Sequence, residues 1–175
     1  MRAPPDYHDG VAAASREGNN GWSRTMKPRM IPYQAAPDAI DAMWALDAYV
    51  RECGLEHSLI ELVKARASQI NGCAFCIHMH TTDARRAGET VERLLLLDAW
   101  RESPLYSERE RAALAWTEAL TLVADTHAPN AVYEQARHQF DEADLVKLTL
   151  LISTINGWNR IAIGFRMVHP TPKAA

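Results

Sequence analysis

From about residue 31 onward, apolar residues recur at helical spacing, and no segment alternates with the period of two that a half-buried strand requires. Pro37-Asp38 opens a first helix with Ile40, Met43, Trp44, Val50 and Cys53 on its apolar stripe, and Gly54 closes it. Ser58-Leu59-Ile60-Glu61 has capping-box spacing and starts a second helix, which Asn71-Gly72 ends. A third runs from Cys73 to Gly88, and a fourth from Thr90 to about Arg101. Ser107-Glu108-Arg109-Glu110 is another capping box, leading a helix to about Ala124. Thr126–Asn130 reads as a loop and Ala131–Phe140 as a short helix. Asp141–Asp144 caps a last, long helix from Leu145 to about Val168. The pattern predicts an all-α chain of about seven helices.

The first thirty residues differ. Met1–Met30 is rich in Pro, Gly, Asn, Ser and Arg and has no hydrophobic period, so it is expected to be a disordered tail, with Met26 and Met30 as alternative starts. The folded domain is expected over residues 31–175. Hydrophobic residues are 47% and charged residues 23% of the chain, an ordinary globular balance. A formal net charge of −3 argues against a protein that wraps nucleic-acid phosphates. No stretch approaches the roughly 18 apolar residues of a membrane span, and the N-terminus lacks the apolar core of a secretory signal. The expected setting is cytoplasmic and reducing.

The last helix is apolar nearly all round, through Leu145, Leu148, Leu151, Ile152, Ile155, Ile161, Ile163 and Phe165. A helix of that kind is buried on most sides, and in a domain this small it suggests a subunit interface and a homo-oligomer.

Three cysteines are too few for a disulfide scaffold. Cys73 and Cys76 are three apart, and His80 follows Cys76 by four, so the three share one helix face. Sulfurs so placed at a helix N-terminus can approach disulfide distance, and the positive end of the helix dipole favours thiolate. By that logic Cys73, nearer the terminus, is the more exposed and more acidic thiol, whereas contact with His80 favours Cys76. A thiolate beside a proton shuttle is what attack on a peroxide O–O bond requires. A structural zinc site would need four ligands, and only Cys53 and His57 stand nearby. Two inert core cysteines are the other bland reading. His78 falls off the active face, toward solvent or a subunit contact. Cys53 reads as core or interface, and Trp158 could line a substrate pocket. Asn156-Gly157 inside a helix implies either a close helix approach or a kink.

Glu61, twelve positions before Cys73, completes a pattern with Cys73, Cys76 and His80 that resembles the alkylhydroperoxidase AhpD-like group of the carboxymuconolactone decarboxylase superfamily. Thr154-Ile155-Asn156-Gly157-Trp158-Asn159-Arg160 is similar to the last-helix segment of a peroxidase-related subgroup, and the likeness covers about Pro32 to Pro170. The resemblance implies an all-α fold that assembles as dimers, trimers or hexamers. It implies reduction of hydroperoxides in antioxidant defence, or general thiol–disulfide exchange, without metal, flavin or haem. Cys76 is then the peroxidatic cysteine, Cys73 the resolving partner that closes a Cys73–Cys76 disulfide, and His80 with Glu61 the proton relay. The partners implied are a hydroperoxide and a dithiol reductant protein or small thiol. Where well-studied members carry a His just before the second Cys, this chain has Phe75. Glu61 also stands at the third helical position of the Ser58 box, and a side chain turned back to Ser58 could not face the cysteines. A non-enzymatic redox sensor and a carboxymuconolactone decarboxylase-like enzyme are the alternative readings.

Overall fold

The helical periodicity is realised throughout the residues that the computed structural model describes, 27–170: nine α-helices, one 3-10 turn and no strand. The seven longer helices are α2 (Pro37–Arg51), α3 (His57–Asn71), α4 (Ala74–Arg86), α5 (Val91–Leu96, continued by the 3-10 turn Leu97–Ala99), α6 (Glu108–Thr121), α8 (Asn130–Gln139) and α9 (Glu142–Phe165). Two four-residue turns, α1 (Pro32–Ala35) and α7 (Val123–Thr126), complete the set. Residues 1–26, the bulk of the expected tail, lie outside the described residues. Just beyond them the chain is held against the end of α9: the Arg29 backbone N–H donates to the Phe165 carbonyl at 2.9 Å and its guanidinium to the Gly164 carbonyl at 2.9 Å.

The capping motifs behave differently from one another. At Ser107 both arms of the box form: the Glu110 N–H donates to Ser107 Oγ at 3.3 Å, and the Ser107 N–H donates to Glu110 Oε2 at 2.8 Å. Asp141 caps α9 through the Asp144 N–H at 2.7 Å. The Ser58 box does not form. Helix α3 starts two residues before the Leu59 that the box requires, at His57, with Glu56 before it and no side-chain cap, so Ser58 is already helical and exposed. Its intended partner, Glu61, is drawn inward instead. The first long helix stops at Arg51, with Gly54 (φ 96°) in the turn that follows.

Helix α3 is the centre of the molecule, packed against α4, α6 and α9. Every residue from Leu59 to Ala65 is buried. One core cluster joins Leu59, Ile60 and Val63 to Trp116, Phe140, Leu148, Leu151 and Ile152; a second joins Leu62 and Ala65 to Leu94, Leu97, Trp100 and Leu114. The long α9 is less enclosed than its sequence suggests. It buries Leu145, Leu148, Leu151, Ile152 and Ile155 but exposes Val146 and Ile163 (68% and 47%), with Ile161 and Phe165 half-buried. Its Asn-Gly pair marks a close approach: a Cβ on Gly157 would stand 3.1 Å from Met43 Cε on α2.

The two capping motifs give a direct check. Ser107→Ala should lower stability by about 1 kcal/mol through loss of the cap. Ser58→Ala, which removes no cap, should change it by less than about 0.5 kcal/mol, as an ordinary surface substitution does. Equilibrium denaturation of the two variants reads the difference.

Candidate active site

The turn between α3 and α4 builds the site. Gly72 adopts the left-handed conformation (φ 69°) that closes α3, and its N–H donates to the Gln69 carbonyl at 3.1 Å. The Cys73 N–H then donates to the Ser68 carbonyl at 3.0 Å, which places Cys73 as the N-cap of α4. The Cys76 N–H donates back to Cys73 Sγ at 3.3 Å. Cys73 and Cys76 are joined as a disulfide, with Cα atoms 5.3 Å apart. Both are 2% exposed, so the greater exposure expected of Cys73 is absent.

One turn further along α4, His80 is buried and meets Glu61 of α3: His80 Nδ1 lies 2.9 Å from Glu61 Oε2. A carboxylate only accepts, so the ionised Glu61 fixes the proton on Nδ1 and leaves Nε2 as the working nitrogen. Nε2 is sealed from solvent and has no hydrogen-bond partner among the described residues. Burial pushes the Glu61 carboxyl up, but the His80 hydrogen bond and charge, with the charges of Lys64 and Arg51, outweigh it and hold the group below its ordinary 4.5.

Beside this couple lies a pocket of about 30 Å³, room for one or two waters. Cys76 and His80 line it, and Cys73 does not. Its walls are Trp44 and Trp158, whose rings stand 4.9 Å apart, with Phe75, Met79 and Met167. Asp47 and Arg51 of α2 reach its edge. Asp47 is buried and accepts from both Lys64 Nζ at 3.2 Å and Arg51 Nε at 2.6 Å; Lys64 itself is 1% exposed.

The four residues expected at the site, Glu61, Cys73, Cys76 and His80, therefore come together. Trp158 lines the pocket, and Phe75 forms part of its wall. His78 is exposed and stacks on His169, with ring centroids 4.8 Å apart, away from the site. Cys53 is a free thiol 3.2 Å from the Val50 carbonyl. Among the described residues no group of three or more His, Cys, Asp or Glu side chains could hold a metal ion. Sequence reasoning did not single out the Asp47–Lys64 pair or a polar seam behind the disulfide turn. In that seam Asn71 Nδ2 donates to Asn156 Oδ1 (2.9 Å) and Asn159 Oδ1 (2.8 Å), and Asn159 Nδ2 donates to Ser68 Oγ (3.0 Å). The available signal was a Lys and a Ser set among the apolar residues of α3, between Leu62, Val63, Ala65 and Ala67.

Residues 35–119 match the carboxymuconolactone decarboxylase family. The chain is 43% identical over 138 residues to the uncharacterized protein YdfG of Bacillus subtilis (strain 168), covering 79% of this chain and 94% of that protein. Among solved structures it is similar to ATU0492 from Agrobacterium tumefaciens, described as of unknown function and as a candidate antioxidant defence protein AhpD. The TM-score is 0.82 and the identity 47%, over 83% of this chain and 100% of the other. An uncharacterized peroxidase-related protein from Silicibacter sp. TM1040 shares the fold at 22% identity and TM-score 0.69, over 77% and 72% of the two chains.

The depressed Glu61 carboxyl has a pH signature. A group whose folded pKa lies below its unfolded value adds stability that is complete above the unfolded pKa and lost as pH falls through the folded one. The wild type should exceed Glu61→Gln by about 1 kcal/mol at neutral pH, the difference between a charge-assisted and a neutral hydrogen bond. That margin should hold down to the ordinary carboxyl value of 4.5 and shrink below it, as measured by urea denaturation at stepped pH.

Proposed function

The chain belongs to the carboxymuconolactone decarboxylase family, in its AhpD-like group, and from that premise we propose that it is a thiol-dependent peroxidase cycling Cys73 and Cys76 between dithiol and disulfide. The observation that carries this reading is the asymmetry of the pair: Cys76 faces the pocket together with His80, and Cys73 stands behind it. A substrate in the pocket therefore meets the Cys76 sulfur first.

In the reduced enzyme the Cys76 thiolate attacks the outer oxygen of ROOH. The S–O bond forms as the O–O bond breaks, and the departing oxygen takes a proton from His80 Nε2, leaving as ROH. Cys76 is now a sulfenic acid. Cys73 attacks that sulfur, the S–S bond forms, the S–O bond breaks, and water leaves with the Cys73 proton. The Cys73–Cys76 pairing seen in the structure is the one this step would form. A dithiol donor, a protein or a small thiol, then returns the pair to the reduced state through a mixed disulfide. Burial of both sulfurs restricts the first reaction to small oxidants or to those whose reactive end enters the pocket. Glu61 accepts from His80 Nδ1 and so orients the ring. The cycle calls on no metal or organic cofactor.

The test adds one equivalent of cumene hydroperoxide, and in parallel hydrogen peroxide, to the reduced protein, followed by alkylation and intact mass. Loss of two alkylatable thiols and a Cys73–Cys76 bridged peptide are expected. Cys73→Ser should stop at a trapped sulfenic acid on Cys76, and Cys76→Ser should lose the fast reaction. His80→Asn should slow it by about 10²-fold or more, the usual worth of a positioned acid. Thiols that stay free at the pace of a small-molecule thiol would sink the peroxidase reading. Oxidation without turnover on added dithiothreitol would leave a redox sensor. Conversion of a lactone or a β-keto acid with the thiols untouched would favour decarboxylase-like chemistry.

A further inference from the structure

The pocket beside Cys76 and His80 is too small to enclose an organic hydroperoxide. Its volume of about 30 Å³ takes one or two waters, which is the room that the two oxygens of a hydroperoxyl group need. The body of the molecule must therefore lie outward of the sulfur. The side chains it meets on the way to solvent then decide which hydroperoxides are taken.

The lining is graded in depth. Cys76, His80 and Ala162 are buried, and the rings of Trp44, Trp158 and Phe75 are half-buried. Among the described residues that line the pocket, Arg51 alone is exposed, its side chain at 42%. Trp44, Asp47 and Arg51 are spaced by three and four on α2 and so share one face. That face carries the wall from an indole to a guanidinium.

Arg51 is held in place without being fully used. Its Nε donates to Asp47 Oδ2 at 2.6 Å, which fixes the guanidinium against α2. Its two terminal nitrogens have no hydrogen-bond partner among the described residues. Asp47 is buried, and its other oxygen accepts from the buried Lys64 Nζ at 3.2 Å, so an ammonium already answers its charge. Asp47 is also the one carboxylate in the lining. Glu61, the other buried carboxylate of this region, is bonded to His80. The rim therefore presents a guanidinium with donors to spare, just outside an apolar wall. A planar donor fork of this kind is matched by a carboxylate, which accepts two parallel N–H bonds; a cationic head is repelled there.

We propose that Arg51 is a specificity-determining residue and that the site takes the hydroperoxides of apolar carboxylic acids. The carboxylate seats on the Arg51 guanidinium, the apolar body lies against Trp44 and Trp158, and the hydroperoxyl end reaches Cys76. The inference rests on the peroxidase reading for its reaction, while recognition of the carboxylate is measurable without turnover. The Arg51 contact is remote from the O–O bond and equal before and after it breaks, so it acts on KM and not on kcat.

The test compares cumene hydroperoxide with its para-carboxylate, two substrates with the same reacting group, at saturating dithiothreitol. In the wild type kcat/KM should be about tenfold higher for the carboxylate, the worth of one charge-assisted hydrogen bond, with the gain in KM. Added salt should narrow that ratio. Arg51→Gln should bring it close to one, and Arg51→Lys, which keeps the charge without the fork, should leave it in between. A wild-type ratio near one, or a ratio that survives Arg51→Gln, would overturn the proposal. Re-reduction by thioglycolate and by mercaptoethanol separates the other source of a carboxylate: an Arg51→Gln effect confined to thioglycolate would place the carboxylate on the thiol and overturn its assignment to the oxidant. Binding alone is read from the Trp44 and Trp158 indole NMR signals of the oxidised protein, titrated with para-isopropylbenzoate and with the matching amide. Tighter binding of the acid that is lost in Arg51→Gln upholds the carboxylate site even where no peroxide is consumed, and the failure then lies with the peroxidase reading. Equal binding of acid and amide would overturn the site itself.

Discussion

A helix buried on every side cannot leave a polar side chain unpaired, because each such group forfeits water without recompense. Helix α3 comes near to this between Leu59 and Ser68, where three polar side chains are buried. Glu61 is met by His80 of α4, Lys64 by Asp47 of α2, and Ser68 by Asn159 of α9. These ties run in different directions from one axis. They locate the helices that wall the site more strictly than apolar packing can, since an apolar contact tolerates sliding and a buried ion pair with one partner removed is costly. The Glu61–His80 contact comes first among them. It belongs to the scaffold and, in the cycle proposed, to the chemistry as well, and it places the imidazole beside the pocket that Cys76 faces.

What the sequence made legible follows from this division. Elements with local causes were readable: the Ser107 box, the Asp141 cap, the Gly72 stop and the 3.6-residue stripes are all fixed by residues within a turn or two of each other. The Cys-x-x-Cys-x-x-x-His spacing was readable for the same reason, since one helix presents the three side chains whatever surrounds it. The Ser58 box misled because two demands compete for Glu61. A local cap is worth about 1 kcal/mol. Leaving His80 buried without its carboxylate costs at least as much, and nothing local to Ser58 announces that competitor nineteen residues away. Lys64 with Asp47, and Ser68 with Asn159, stayed hidden because each half looks like a lone polar residue on an apolar helix until the partner helix is placed. The enclosure of α3 rather than α9 was equally invisible. Hydrophobicity suggested α9, but the central position fell to the helix whose buried polar residues are all answered.

Phe75 ties these threads to the reaction. In well-studied relatives a histidine precedes the second cysteine, and a second imidazole there would offer another way for protons to reach the sulfurs. Here that position is a half-buried ring packed on the Cys73–Cys76 cluster and lining the pocket. The exchange removes a titratable group from the substrate side and replaces it with apolar wall. A drier pocket strengthens every electrostatic interaction inside it, including the one between a Cys76 thiolate and a protonated His80. It also leaves His80, held by Glu61, as the imidazole that lines the pocket with Cys76. In the cycle proposed, the pocket is then an apolar face for the oxidant, and Glu61, buried behind it, holds the imidazole that lines it.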